Sequence, residues 1–393
     1  MRVVVYADDL IKKQGYWGVE LSLPVAKEEI EDALQRARVP GHGSYHLEYL
    51  DWPEFLGKRL SEYCTLEEIN VLAYRISQMN FQQLEIYEGA VELLWEKMME
   101  DGSHYWMTEK SLINHSYNLN CYDFYPGILC DADLGKVCIE GGILELINSL
   151  PDETLELLDP EKVGRYLREK DGGTYTHKGY VLRNTEEFQE VFDGRNLPEM
   201  PAELQGTISL QLVNCLHPEA ASVWLALPAK QDEMMRALES LKAESFDDCV
   251  IVENRGTALA FPLAGDEDIG KLNLLAERIK SFSDSRMREK YRAAMELELC
   301  SDLDLALDIV ANLNCYDFDP ELYSLASYAE YVLKELGIDT QDPAFSSFDF
   351  QGYGERKMKE VGYVFTAYGL ISRNEQPFQR EYTEERQSIS LYP

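Results

Sequence analysis

Histidine is scarce in this chain, six in 393 residues, and no His-Glu-x-x-His occurs. His42 and His46 are the closest pair. Gly43 and Ser44 lie between them and argue against one helical face, so no metal site is expected. The eight cysteines, at 64, 121, 130, 138, 215, 249, 300 and 315, form no Cys-x-x-Cys. Zinc-ribbon and thioredoxin chemistry have no support, and reduced thiols in the cytoplasm are expected. No Gly-x-Ser-x-Gly elbow is present, and neither Gly41-His42-Gly43-Ser44 nor Gly141-Gly142 continues into the Lys-Ser/Thr of a phosphate loop. No apolar run approaches the ~20 residues of a membrane span. Met1-Arg2-Val3-Val4-Val5-Tyr6 runs straight into Ala7-Asp8-Asp9, so no secretory leader is expected. Basic residues are also short: 37 against 71 acids, a net charge of -34. That deficit disfavours phosphate contacts to nucleic acid and binding to an anionic membrane.

What is present is a folded composition, 45% hydrophobic and 11% aromatic. The acidity is not a tail. Residues 1–200 hold 37 acids and 19 bases, and the remainder 34 and 18.

The sequence is also written twice. Leu119-Asn120-Cys121-Tyr122-Asp123-Phe124 returns unchanged as Leu313-Asn314-Cys315-Tyr316-Asp317-Phe318, 194 residues later, each followed by a proline, Pro126 and Pro320. Leu21-Ser22-Leu23-Pro24 answers to Leu225-Ala226-Leu227-Pro228 at an offset of 204, and Ile30, Ala33 and Leu34 to Met234, Ala237 and Leu238. Tyr87–Leu93 answers to Tyr291–Leu297, and Thr176, Gly179 and Arg183-Asn184 answer to Thr366, Gly369 and Arg373-Asn374. One unit of roughly 190 residues is therefore expected in two copies, each able to bury its own core. Copy 1 spans 1–193, with an α/β module at about 1–55, a helical module at 56–118 and an α+β module at 119–193. A Pro-containing linker covers 194–207, copy 2 spans 208–379, and 380–393 is a tail with an optional strand at 387–392.

Alternating Val, Tyr, Trp and Leu predict strands at 2–6 and 17–23. Pro24 then suits the first position of a helix with Ile30, Ala33, Leu34 and Ala37 on its buried stripe. Pro40-Gly41-His42-Gly43-Ser44 breaks the pattern before a strand at Tyr45–Leu50. Residues 65–100 read as helices, opened by the capping box Thr65-Leu66-Glu67-Glu68. Further helices are expected at 108–118, 131–140, 143–148 and 160–170, and a strand at 174–182. Copy 2 repeats the order: strands at 208–214 and 222–227, a helix at 229–243, a strand at 248–253 and helices from 267 to 336. Asp123 and Asp317 read as residues that cap or turn the chain before their prolines, and Cys121 and Cys315 as small buried packing residues.

The chain resembles the ArdA antirestriction proteins. The stretches that carry the resemblance are Leu21–Leu34, Leu60-Ser61-Glu62-Tyr63 with Leu66–Leu72, Asn118–Gly127, Asp133-Leu134-Gly135-Lys136, and Gly172-Gly173-Thr174-Tyr175-Thr176-His177-Lys178-Gly179-Tyr180-Val181. It covers residues 1–190 well and 208–379 more weakly. In the second copy Leu370 stands for Tyr180, and Ser327-Tyr328-Ala329 for Asp133-Leu134-Gly135. The resemblance implies an elongated α+β chain of small α/β and helical modules in tandem. It further implies a non-enzymatic mimic of DNA, without cofactor, that occupies the DNA groove of a type I restriction-modification enzyme.

Ordered carboxylates can stand where phosphates stand, and a charge of -34 equals that of roughly 58 Å of duplex at ~1.7 Å per charge. The acids expected to face the partner enzyme are Glu28, Glu29, Asp32, Glu67, Glu68, Glu88, Glu92, Glu96, Asp131, Asp133, Asp232 and Glu233, all placed on solvent faces of helices or beside loops. Short members of the family act as two-fold dimers, so two copies in one chain predict a pseudo-dimer, with a homodimer of the whole chain as the competing outcome. Competing functions are mimicry aimed at another nucleic-acid machine, such as a CRISPR effector, and an acidic scaffold protein.

Overall fold

The computed structural model describes residues 1–11, 16–39, 43–57, 59–100, 107–217, 219–256, 258–359 and 362–383. Residues 40–42 of the expected glycine turn, His42 among them, and the expected strand at 387–392 lie outside the described residues. Among the described residues the fold is α+β, with four three-stranded antiparallel sheets. The chain divides into two compact units: residues 1–24 with 44–199, and residues 25–43 with 200–393. The division at 199/200 falls inside the expected linker. Residues 25–43 were read as part of the first copy, yet they group with the second unit.

In the first unit, β1 (Arg2–Ala7) lies between β2 (Val19–Ser22) and β3 (Tyr45–Leu50). Val3, Val5 and Ala7 of β1 are buried at every second position, as period-2 alternation requires. Between β2 and β3 the chain makes α1 (Lys27–Arg36), which belongs to the second unit. Pro24 is not the first helical residue: it follows β2, in a cis peptide with Leu23, and Ala26 is the N-cap of α1. After α2 (Glu54–Gly57) come α3 (Leu66–Ser77), α4 (Phe81–Glu100) and α5 (Glu109–Tyr117). The capping box at Thr65 and Glu68 forms, and Ile69, Leu72, Ala73 and Ile76 face the core.

The repeated hexapeptide is a 3-10 turn, Leu119–Cys121, running into β4 (Tyr122–Pro126). Then follow α6 (Asp131–Gly141), α7 (Glu145–Asn148), α8 (Asp152–Leu155) and α9 (Pro160–Asp171). The strand expected at 174–182 is instead a hairpin of β5 (Thr174–Tyr175) and β6 (Gly179–Arg183), turned by His177-Lys178, giving the order β4-β6-β5.

In the second unit, β7 (Ile208–Asn214) lies between β8 (Val223–Leu227) and β9 (Cys249–Arg255), with α10 (Gln231–Leu241) between β8 and β9 in sequence. Then come α11 (Ile269–Lys280), α12 (Ser285–Leu297), α13 (Leu303–Ala311), a 3-10 turn at Leu313–Cys315, β10 (Tyr316–Asp319), α14 (Leu325–Glu335) and α15 (Phe350–Met358). β11 (Val364–Thr366) and β12 (Gly369–Arg373) complete a sheet of order β10-β12-β11.

A buried asparagine closes each hexapeptide. The Asn118 amide donates to the Asn114 and Gln189 carbonyls at 2.8 Å, and its oxygen accepts from the Gln189 N–H at 2.8 Å. Asn312 does the same with Asp308 and Gln379, at 2.7, 2.8 and 2.9 Å. Neither Asp123 nor Asp317 caps or turns the chain. Each lies on its strand and accepts from a side-chain amide, Asn184 at 3.1 Å and Asn374 at 3.2 Å.

Glycine sets the closest helix packing. A Cβ on Gly135 of α6 would lie 1.7 Å from the Pro160 carbonyl oxygen, and one on Gly164 of α9 would lie 1.8 Å from that of Asp131. Gly164→Ala must therefore force α6 and α9 apart. A loss of at least about 1–3 kcal/mol is expected in urea unfolding, whereas Gly57→Ala, with nothing within 4 Å of the new methyl, changes little.

Candidate functional site

The twelve acids nominated from sequence fall into four local settings. On α1, the Glu29 carboxylate accepts from the Ala26 N–H at 3.4 Å and the Gly256 N–H at 3.2 Å. Asp32 is only 6% exposed. It accepts from Arg36 Nε and from the Tyr368 hydroxyl, each at 2.8 Å, with Arg292 Nε at 3.8 Å. Glu31 pairs with Arg288. Arg38, at a left-handed φ of 59°, donates to the carbonyls of Pro320, Ala367 and Tyr368 at 3.1, 2.9 and 2.5 Å. Burial pushes the carboxyls of Glu28 and Glu29 above their usual range. Glu28 Oε2 and Arg288 Nε are buried without a hydrogen-bond partner and belong to residues lining a cavity of about 10 Å³, far too small for a substrate.

On α3 and α4, Glu68 completes the Thr65 box and Glu67 is half-buried. Glu92 pairs with Arg59 at 2.8 Å, and Glu96 accepts from the Thr174 hydroxyl at 3.3 Å. Glu88 is buried and meets His177 Nδ1 at 2.7 Å. Burial raises the Glu88 carboxyl, and the bond to Glu88 raises the His177 imidazole.

At the start of α6, Asp131 accepts from Arg168 Nε and the Tyr175 hydroxyl at 2.8 Å, and the Arg168 bond lowers its pKa. Asp133 accepts from the Cys130 thiol and the Leu129 N–H, which lower its own. On α10, Asp232 pairs with Arg236, and Glu233 accepts from the Lys230 N–H at 2.7 Å.

The expectation that all twelve lie on solvent faces is corrected. Only Glu96, Asp232 and Glu233 are exposed; Asp32 and Glu88 are buried, and the other seven are half-buried. The polar side of a helix is covered wherever a second element packs on it, and helical period alone does not report that.

Sequence reasoning missed the residues that hold these acids. Arg292 and Tyr368 carry no repeat signal, because Glu88 and Lys178 stand at their counterparts. Asn118 and Asn312 did carry one: the identity runs one letter beyond the hexapeptide to include them.

In the first unit an open cleft of about 710 Å³ is lined by Tyr6, His46, Glu48, Tyr49 and Glu62 among others. His46 Nδ1 meets Asp8 at 2.9 Å, its ring stacks on Tyr6, and the Tyr6 hydroxyl donates to Glu48 at 3.0 Å. A His–carboxylate pair is two-thirds of a hydrolytic triad, but among the described residues no hydroxyl or thiol is bonded to His46. Among the described residues no cluster of three or more His, Cys, Asp or Glu could hold a metal, and no helix is long and apolar enough to cross a membrane. No protein-family model matches the chain, and no curated protein matches it.

Two outcomes follow from these settings. Asp32→Asn removes the buried carboxylate that Arg36 and the Tyr368 hydroxyl hold and is expected to cost about 1–3 kcal/mol in urea unfolding. Glu96→Gln, at an exposed position, stays within about 0.5 kcal/mol.

The second outcome concerns pH. Glu28, Glu29, Glu88, Glu109 and Glu289 have folded pKa values raised, in each case first by burial. Their contribution is present at low pH and is lost as pH rises through those raised values. Asp8, Asp131, Asp133 and Asp232 have lowered values, so theirs is present above the ordinary 3.8 and lost as pH falls through the lowered values. Thermal melting is expected to peak on the acid side of neutrality. A melting temperature that only falls from pH 7 downward contradicts this balance.

Proposed function

We propose that the chain is a non-enzymatic, cytoplasmic DNA mimic that inhibits a DNA-binding defence enzyme, with a type I restriction-modification enzyme as its target. The observation that carries this reading is a net charge of -34 on a folded body, 71 acids against 37 bases. Arg59, Arg168, Arg288 and Arg373 are tied to Glu92, Asp131, Glu31 and Glu298. Arg75 and Arg278 donate to the carbonyls of Ser116 and Leu307. With these arginines held by the chain's own carboxylates and carbonyls, the surplus carboxylates dominate the field that a basic groove meets.

The chain is read as a tandem duplication, elongated, with each copy playing one subunit of a two-fold mimic. Matched sheet orders, β2-β1-β3 with β8-β7-β9 and β4-β6-β5 with β10-β12-β11, support this reading, as do the paired asparagine networks.

Binding to a purified type I enzyme should weaken steeply and log-linearly with salt, and duplex DNA should compete for the same site. A ternary complex of enzyme, DNA and this protein would sink mimicry and favour a scaffold. Competition restricted to a CRISPR effector would redirect the target. No single exposed acid is essential in this reading: neutralising Glu96, Asp232 and Glu233 one by one should cost about 0.2–1 kcal/mol each in affinity.

A further inference from the structure

We propose that the small cavity beside α1 is a binding site for one water molecule, which joins the Glu28 carboxylate to the Arg288 guanidinium. The inference concerns the second unit alone and is independent of DNA mimicry.

The cavity lies wholly among residues of that unit. Glu28, Asp32 and Gln35 of α1 line it from one side, and Thr207, Arg288 and Arg292 are among the residues that line the rest. Its volume of about 10 Å³ suits a single water and nothing larger. Two polar atoms of these residues call for a partner. Glu28 Oε2 is buried and accepts from no protein donor, and Arg288 Nε is buried and donates to no protein acceptor. Protein interiors rarely leave such groups unpaired. The same guanidinium spends its Nη1 on Glu31.

The chemistry of the two atoms selects the occupant. The Arg288 Nε–H donates and the Glu28 carboxylate accepts, so the occupant must accept one hydrogen bond and donate another. Water does both. An anion would stand beside the carboxylates of Glu28 and Asp32, and a cation beside the guanidinium groups of Arg288 and Arg292, each stripped of solvent next to like charge. Burial pushes the Glu28 carboxyl above its usual range, and a bond donated by water to the ionised form limits that rise.

The consequence is a double tie between α1 and α12. Glu28 and Glu31 are three residues apart on α1 and so share a face of the helix. One guanidinium then holds both acids, Glu31 directly and Glu28 through the water.

A crystal structure of the full chain, at a resolution that shows ordered water, tests the site directly. The expected result is one isolated density peak at about 2.7–3.2 Å from both Glu28 Oε2 and Arg288 Nε. An empty cavity overturns the proposal, as does a direct bond between Glu28 and Arg288. An anomalous peak at the site after a bromide soak identifies an anion and overturns it too. In solution, oxygen-17 relaxation dispersion counts long-lived internal waters. Glu28→Leu, which lacks the acceptor, is expected to lose one relative to the wild type, and the exposed Glu96→Gln is expected to lose none. An unchanged count in folded Glu28→Leu contradicts the assignment; if that variant does not fold, the wild-type density decides.

Discussion

Each half of the chain hangs on one buried side-chain amide. Asparagine carries a donor and an acceptor in the geometry of a peptide group. Asn118 and Asn312 can therefore pair with the N–H and C=O of Gln189 and Gln379 as a neighbouring strand would. A buried amide that loses such partners pays a penalty of about 1–3 kcal/mol. The amide thus fixes three things at once: where α5 or α13 stops, where the 3-10 turn hands over to β4 or β10, and where the chain leaving the last strand must run. One turn back on the helix the two halves solve the next contact differently. Asn114 accepts from two N–H groups and donates to the Phe192 carbonyl. Asp308 has no donor, and instead accepts from three N–H groups and the Thr383 hydroxyl.

That constraint explains why the hexapeptide was the most visible feature of the sequence. Its residues are bound to one another and to a single exit segment, so few substitutions keep all the bonds. Local signals of the same kind read correctly. The strand at Tyr45–Leu50 has the predicted ends, and the Thr65–Glu68 box closes because its two members lie within one helical turn. The failures share another cause. Pro24 has the fixed φ of a first helical residue, but that does not say which side of a turn it occupies. Thr176 to Lys178 lie in a run with strand composition, yet the Thr176 hydroxyl accepts the Lys178 N–H and turns the chain back. The use of the glycines at 135 and 164 is visible only where two helix backbones meet.

The acids show the limit most clearly. An amphipathic pattern marks the apolar stripe of a helix and leaves the remainder to be taken as solvent-facing. On α1 the remainder is packed too, against side chains far along the sequence, as the 257-residue separation of Glu31 and Arg288 illustrates. No local rule links Asp32 to Tyr368. Its counterpart Arg236 kept the same helical position with opposite charge, so the repeat itself concealed the role.

These two classes of carboxylate also separate stability from any surface role. A net charge of -34 opposes the compact state. Carboxylates bound to arginine or to backbone N–H groups, such as Asp131 and Asp133, offset that repulsion locally and have lowered pKa values to match. Glu28 and Glu88 have raised values, so their ionised forms work against the fold. Neither class is free to greet a partner without loosening its own unit. If the surface imitates phosphates, the imitation therefore falls to acids such as Glu96 and Glu233, which the fold leaves exposed.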